Sequence, residues 1–132
     1  MTVREAKCSC GALTALCRGE PARISVCHCL NCQRRSGSAF SYNATYAAEQ
    51  VETSGVSATF SPVGDSGRWA RFHFCPACGS TVFYEIEARP GMVSVPVGGF
   101  ADPDFPPPGF SVYGERKHRW FEFAPDLPIE HQ

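Results

Sequence analysis

The sequence predicts a single small all-β domain of short antiparallel sheets, and three observations carry that prediction. Short runs of β-branched and aromatic residues recur along the chain, and Gly, Pro, Asp and Ser separate them. Seven of the eight cysteines fall into three tight clusters able to pin such sheets: Cys8 and Cys10; Cys27, Cys29 and Cys32; Cys75 and Cys78. The chain has 132 residues, enough to bury most of the apolar surface of one domain and too few for two. The domain is expected to span 1–132, with a core from about residue 5 to 124.

Taken in order, Ala12 to Cys17 reads as a strand whose Leu13, Ala15 and Cys17 share one face, which makes Cys17 a small buried hydrophobe. Ile24 to Cys27 and Phe40 to Tyr46 follow, each rich in strand-forming residues, with Ala58 to Phe60 as a short third. Trp69 to Phe74 and Thr81 to Glu87 alternate visibly, through Arg71-Phe72-His73-Phe74 and Val82-Phe83-Tyr84-Glu85-Ile86-Glu87. Trp69, Phe72, Phe74, Phe83 and Tyr84 are therefore expected to pack in the core and across strands. Val93 to Val97, Phe110 to Tyr113 and Arg119 to Phe123 complete the set, the last leaving open whether Trp120, Phe121 and Phe123 cover the sheet or line a pocket. Only Leu30 to Arg35 suits a helix, of a turn or two. Gly98-Gly99-Phe100 reads as a turn or bulge, the proline-rich 102–109 as an extended surface loop, and the tail from Pro125 as frayed.

Composition narrows the function. The net charge is -1 without any Lys/Arg run, so the electrostatic footprint of a nucleic-acid binder is missing. No apolar stretch approaches the length of a spanning helix, and MTVREAKC lacks the core of a secretory signal, so neither membrane association nor export is expected. The expected compartment is the cytoplasm. Thiols stay reduced there, so this density of cysteine points to metal or redox chemistry rather than to disulfides. Whether the chain forms a homodimer is left open.

The spacing of the cysteines sorts them into two sites. Cys8-Ser9-Cys10-Gly11 and Cys75-Pro76-Ala77-Cys78-Gly79 look like two halves of a zinc clamp, four thiolates closing a tetrahedral structural ion. In an extended chain Cys8 and Cys10 point the same way; in the second half Pro76 presets a turn, and Gly79 can adopt positive φ. Cys27, Cys29 and Cys32 come to one face if the chain turns into a helix after Cys29, and three thiolates leave one zinc position for an outside ligand. His28 falls on the opposite face and is not assigned as a ligand; the alternative is that it closes the site as a fourth. Soft sulfur donors favour a further thiolate, so the expected exogenous ligand is a small thiol. Arg34 and Arg35 can fork onto its carboxylate while Ser36 and Ser38 supply donors, the alternative being a solvated basic loop. His28, His73 and His118 are proton donors by chemistry alone, and His73 also reads as a half-exposed strand histidine.

The ordered motifs CxCG from Cys8, CHCxxCQRxSGS from Cys27, HFCPxCGS from His73 and the late aromatic segment resemble the glutathione-dependent formaldehyde-activating enzymes, a family that includes the domain of centromere protein V. The resemblance runs from Cys8 to about Trp120. It implies a complex β fold with two zinc ions, one structural on Cys8, Cys10, Cys75 and Cys78 and one catalytic on Cys27, Cys29 and Cys32. It also implies condensation of formaldehyde with glutathione to S-hydroxymethylglutathione, a carbon-sulfur lyase reaction run in reverse. Two other classes stand beside it. A thiol redox enzyme of the methionine sulfoxide reductase kind would need a resolving cysteine, and a non-catalytic zinc-binding module would need both ions closed to small thiols.

Overall fold

The structure, a computed structural model, describes residues 1–132. In chain order its elements are β1 (Val3–Lys7), β2 (Thr14–Arg18), β3 (Arg23–Cys27), α1 (Leu30–Ser36), β4 (Ser41–Ala47), β5 (Val51–Ser54), β6 (Ala58–Phe60), β7 (Ala70–Phe74), β8 (Thr81–Ile86), β9 (Met92–Pro96), β10 (Phe110–Val112) and β11 (Glu130–His131). Short 3-10 turns at Ala48–Gln50, Val97–Phe100 and Gly114–Arg116 join some of them. No helix is long and apolar enough to cross a membrane.

Two sheets pack against each other. The smaller has the order β1-β2-β5 and is antiparallel; the larger runs β11-β10-β3-β4-β9-β8-β7-β6. Most of the larger sheet is antiparallel as expected, but β10 lies parallel to both β3 and β11. Alternation decides what lies between the sheets. Ala15 and Cys17 of β2, with Ala6 and Leu13, face Ala44 and Tyr46 of β4 and Val82, Phe83 and Val95, forming one buried cluster. Leu13, Val82 and Val95 are fully buried, and each large apolar side chain sealed in this way contributes roughly 1.5–3 kcal/mol. Gly55, at φ 103, lies so close to the Ala12 carbonyl that any Cβ there would overlap it, which seats the end of β5 against the first cysteine turn.

The same alternation points a second set of side chains to the other face of the large sheet. Arg23, Ser25 and Cys27 of β3 stand there beside Asn43 and Thr45 of β4, Ser94 of β9, Tyr84 of β8 and Phe72 of β7. Register aligns them in rows: Ser25 is opposite Asn43, and Arg23, Thr45, Ser94, Tyr84 and Phe72 follow one another across five strands. The row is buried at Asn43, Thr45 and Ser94 and half-buried at Arg23, Ser25, Phe72 and Tyr84. It forms the floor of the site described below.

Several expectations are corrected by pairing that single segments do not announce. β1 and β5 form on either side of β2 although neither stands out in the sequence. Arg119 to Phe123 is not a strand: Phe121 and Phe123 turn inward onto the His28 ring at centroid distances of 5.9 and 6.0 Å, while Trp120 stays exposed. The tail does not fray, because Glu130 N and Gln132 N donate to the carbonyls of Gly109 and Ser111 at 2.8 and 2.7 Å.

Candidate metal centres and an arginine-lined cleft

Two similar turns build the first centre. Gly11 N donates to Cys8 O at 3.0 Å and Gly79 N donates to Cys75 O at 2.7 Å, with both glycines at φ 82. That region of φ is open to glycine without steric cost, so each turn tightens around its leading cysteine. Cys8 and Cys10 thus converge through a turn rather than through an extended chain. Their sulfurs are 3.7 Å apart, Cys10 and Cys75 are 3.6 Å apart, and the four sulfurs of Cys8, Cys10, Cys75 and Cys78 all lie within 4.8 Å of one another. A tetrahedral zinc with Zn–S bonds of about 2.3 Å has S···S edges of about 3.8 Å, so the donor set fits that ion. None of the cysteines is in a disulfide.

Groups around the clamp favour the thiolates of Cys8 and Cys78, while the neighbouring thiols push Cys10 up. Leu13 N donates to Cys8 Sγ at 3.2 Å, and the Ser9 and Ser80 hydroxyls, 3.0 Å apart, tie the two turns together. The Cys78 thiol is pulled down to about 5 by the backbone N–H groups of Ser80 and Cys10. A thiolate at neutral pH is the form a metal takes up.

The second centre sits where β3 hands over to α1. Cys27 ends the strand, Cys29 is the N-cap with extended backbone at φ -61 and ψ 152, and Cys32 lies in the first turn. Cys29 Sγ accepts the Cys32 N–H at 3.2 Å, doing for this helix what a serine oxygen does elsewhere. Gly37, at φ 67, ends it by donating to Gln33 O at 2.9 Å. The three sulfurs lie within 4.8 Å of one another, and no fourth Cys, His, Asp or Glu joins them. Hydrogen bonds from the Cys27 and Cys32 thiols hold Cys29 down to about 2, and the same contact with Cys29 drives Cys27 far above the ordinary thiol range. One thiolate is thus accommodated at the expense of its neighbours. A divalent cation relieves that conflict, so the chemistry of this trio also fits a soft metal.

Cys27 and Cys32 open into a cleft of about 550 Å³ whose floor is the polar row of the large sheet. Its walls carry Phe72, Trp69 and Tyr84, and its charged lining consists of Arg23, Arg35, Arg68 and Arg89 with no Asp or Glu. The Arg35 guanidinium lies over two of these rings, 4.6 Å from the Phe72 centroid and 5.4 Å from that of Tyr84. Of the residues suggested by sequence for ligand contacts, Arg35 lines the cleft, whereas Arg34, Ser36 and Ser38 do not. Ser36 instead donates to Cys32 O at 2.7 Å and accepts the Ser38 N–H at 3.2 Å, which braces the end of α1. Arg23, Arg68, Arg89 and Asn43 were not apparent from sequence: they come from separate elements and share no motif. Trp69, expected in the core, stands at the cleft instead.

None of the histidines lines the cleft. His28 is fully buried on the far side of its strand, bonded to Ser111 Oγ at 3.2 Å and packed among Phe40, Phe121 and Phe123. Burial first, then the nearby Lys117, depresses its pKa, so the ring is held neutral. His73 pairs with Glu85 at 2.7 Å and stacks on Phe83 at 4.3 Å. His118 meets Gln33 Oε1 at 2.9 Å, while Gln33 Nε2 donates to His28 O at 2.8 Å, so that pair locks the loop beside the trio.

The family model described as "Glutathione-dependent formaldehyde-activating enzyme" matches residues 3–116, which include both cysteine centres. A Rhodobacter sphaeroides protein of known crystal structure shares the fold at a TM-score of 0.59 and 21% identity, covering 78% of this chain and 91% of its own. No curated protein matches the chain. The match over residues 3–116 spans most of the molecule, and the chain therefore belongs to the glutathione-dependent formaldehyde-activating enzyme family.

Proposed function

We propose that the protein is a zinc-dependent carbon-sulfur lyase of small thiols, acting in the direction that joins glutathione and formaldehyde as S-hydroxymethylglutathione. The observation that carries this reading is a trio of protein sulfurs with no fourth side-chain donor, opening into a cleft lined by arginine and by no acid. In this reading Cys8, Cys10, Cys75 and Cys78 hold a structural ion, and Cys27, Cys29 and Cys32 hold a catalytic one. When bound, the catalytic zinc supplies positive charge that favours the thiolate form of an incoming thiol at neutral pH.

The remaining work falls to the chain. Arg35, packed beside the Phe72 and Tyr84 rings, presents a guanidinium that can fork onto a thiol's carboxylate and hold its sulfur near Cys27 and Cys32. The C–S bond forms as the sulfur adds to the formaldehyde carbon, and the electron pair of the C=O bond moves to oxygen. The proton given up by the thiol balances the proton gained by that oxygen, so no net acid or base is consumed. The buried or paired histidines do not face this reaction, and the open cleft lets solvent carry the proton.

A redox role has less support. Cys17, the remaining cysteine, is sealed in the core with its thiol pushed up to about 11 by burial, which makes it a poor resolving thiol. The test of the lyase reading is formaldehyde consumption by the zinc-loaded protein as glutathione is added. Saturable acceleration with glutathione, and none with S-methylglutathione, is the expected result. Equal rates with both would remove the thiol from the mechanism.

A further inference from the structure

Charge in the cleft is one-sided to a degree that glutathione does not match. Arg23, Arg35, Arg68 and Arg89 all line it, and none has a carboxylate within 4.0 Å. The ion pairs of the protein lie elsewhere, on Arg4, Lys7, Arg18, His73 and Lys117. Burial and then the proximity of Arg89 depress the Arg23 pKa, and Glu130 offsets them only in part, so Arg23 and Arg89 work against one another. Arg23 already has partners, Gln132 Oε1 at 2.7 Å and the Phe110 ring at 4.1 Å. Arg68 and Arg89, both exposed, have neither an acid nor a side-chain hydrogen bond of their own.

Two buried polar atoms in the same cleft also lack partners. One is Asn43 Oδ1, an acceptor on a residue only 4% exposed whose amide nitrogen is taken by Ser41 Oγ at 3.0 Å. The other is Arg35 Nε, a donor. Buried unpaired groups of this kind are costly, and a ligand offering an N–H and an anionic oxygen satisfies both. Glutathione brings amides and two carboxylates, but also an ammonium for which no Asp or Glu side chain lines the cleft.

We propose that the cleft selects its thiol by negative charge: the preferred co-substrate is an amide-bearing thiol with at least two anionic groups and no ammonium, held by Arg35, by Arg68 and Arg89 at the rim, and by Asn43 Oδ1. The proposal rests on the trio being a thiol site and adds what that site recognises beyond sulfur. Arg68 and Arg89 act here as specificity-determining residues, remote from the reacting atoms.

The test uses the zinc-loaded full chain and three probes of one skeleton: glutathione, glutathione acetylated on its amine, and glutathione esterified on its glycine carboxylate. Dissociation constants by calorimetry at low salt are expected to rank acetylated, then free, then esterified, with steps of about tenfold, the scale of one charged hydrogen bond. The ranking should shrink as salt is raised. In an R68Q/R89Q double variant, with zinc content and melting temperature as folding controls, the steps are expected to fall to about twofold or less. Equal affinities in the parent protein, a preference for free glutathione, or a ranking that survives in the double variant would each overturn the proposal. If all probes bind alike, the thiol-site reading stands and the charge rule alone falls; if none binds, both fall.

Discussion

The Cys75→Ala protein is expected to lose its structural zinc and with it most of its folded population at 37 °C. Cys10 and Cys75 are 65 residues apart in sequence, yet their sulfurs lie 3.6 Å apart, so an ion on this clamp closes half the chain into a loop. Apparent binding free energies of structural zinc in small domains are on the order of 10 kcal/mol, comparable with the whole net stability of about 5–15 kcal/mol that a domain possesses. Losing even half of that contribution is enough to unfold a domain of this size. Cys75 is also buried, so the substitution leaves three thiols without the cation that reconciles them. Zinc per chain and a thermal melt by circular dichroism check this. A variant that has lost one zinc but melts where the parent does would show that the clamp does not brace the fold.

The opposite pattern is expected for Cys29→Ala, with turnover lost and the fold retained. Cys29 is half-exposed at the mouth of a seven-residue helix, and what the fold loses there is one N-cap, worth about 1 kcal/mol and a few degrees of melting temperature. Chemistry loses far more, because the trio has no fourth protein donor to stand in. Thiol-dependent formaldehyde consumption should fall by more than about 100-fold, the upper end of what losing a group that merely orients a metal ligand costs. Zinc should drop by one equivalent. Retained turnover with that equivalent missing would take the metal out of the reaction. Side by side, the two variants separate a bracing role from a reacting one.

Much of this was legible in the sequence because cysteine spacing is a local signal with a global consequence. The clusters, the short helix after Cys29, the core position of Cys17 and most strands of the large sheet follow from motifs and alternation. The missing parts depend on neighbours. β1 reads VREAK, with little to mark it as a strand, and is made one by five paired residues of β2. The aromatic run at Arg119 to Phe123 has strand composition, but its rings find more burial on His28 than a ladder would give, and Lys117 Nζ caps the Phe121 carbonyl at 2.8 Å. The tail reads as frayed in sequence because its partner, β10, lies some way back in the chain and pairs with it in parallel.

The cleft was hardest to foresee. Only Arg35 stands next to a cysteine motif; Arg23, Arg68 and Arg89 meet it through strand register and two hairpin loops. Even the floor is misleading in one dimension, since Ser25, Asn43, Thr45 and Ser94 look like the solvent face of half-buried strands. Asn43, Thr45 and Ser94 are in fact buried, and the absence of any Asp or Glu from the cleft lining emerges only in three dimensions.

The central claim is that the Cys27, Cys29 and Cys32 centre takes a thiol from outside while the Cys8, Cys10, Cys75 and Cys78 centre does not. Cobalt-substituted protein titrated with glutathione tests it most directly, because each cobalt–thiolate centre reports its own ligands in the visible spectrum. Two cobalt ions per chain are predicted, with saturable spectral change at one of them and none in a variant lacking Cys29. A spectrum indifferent to glutathione at full cobalt occupancy would contradict the account.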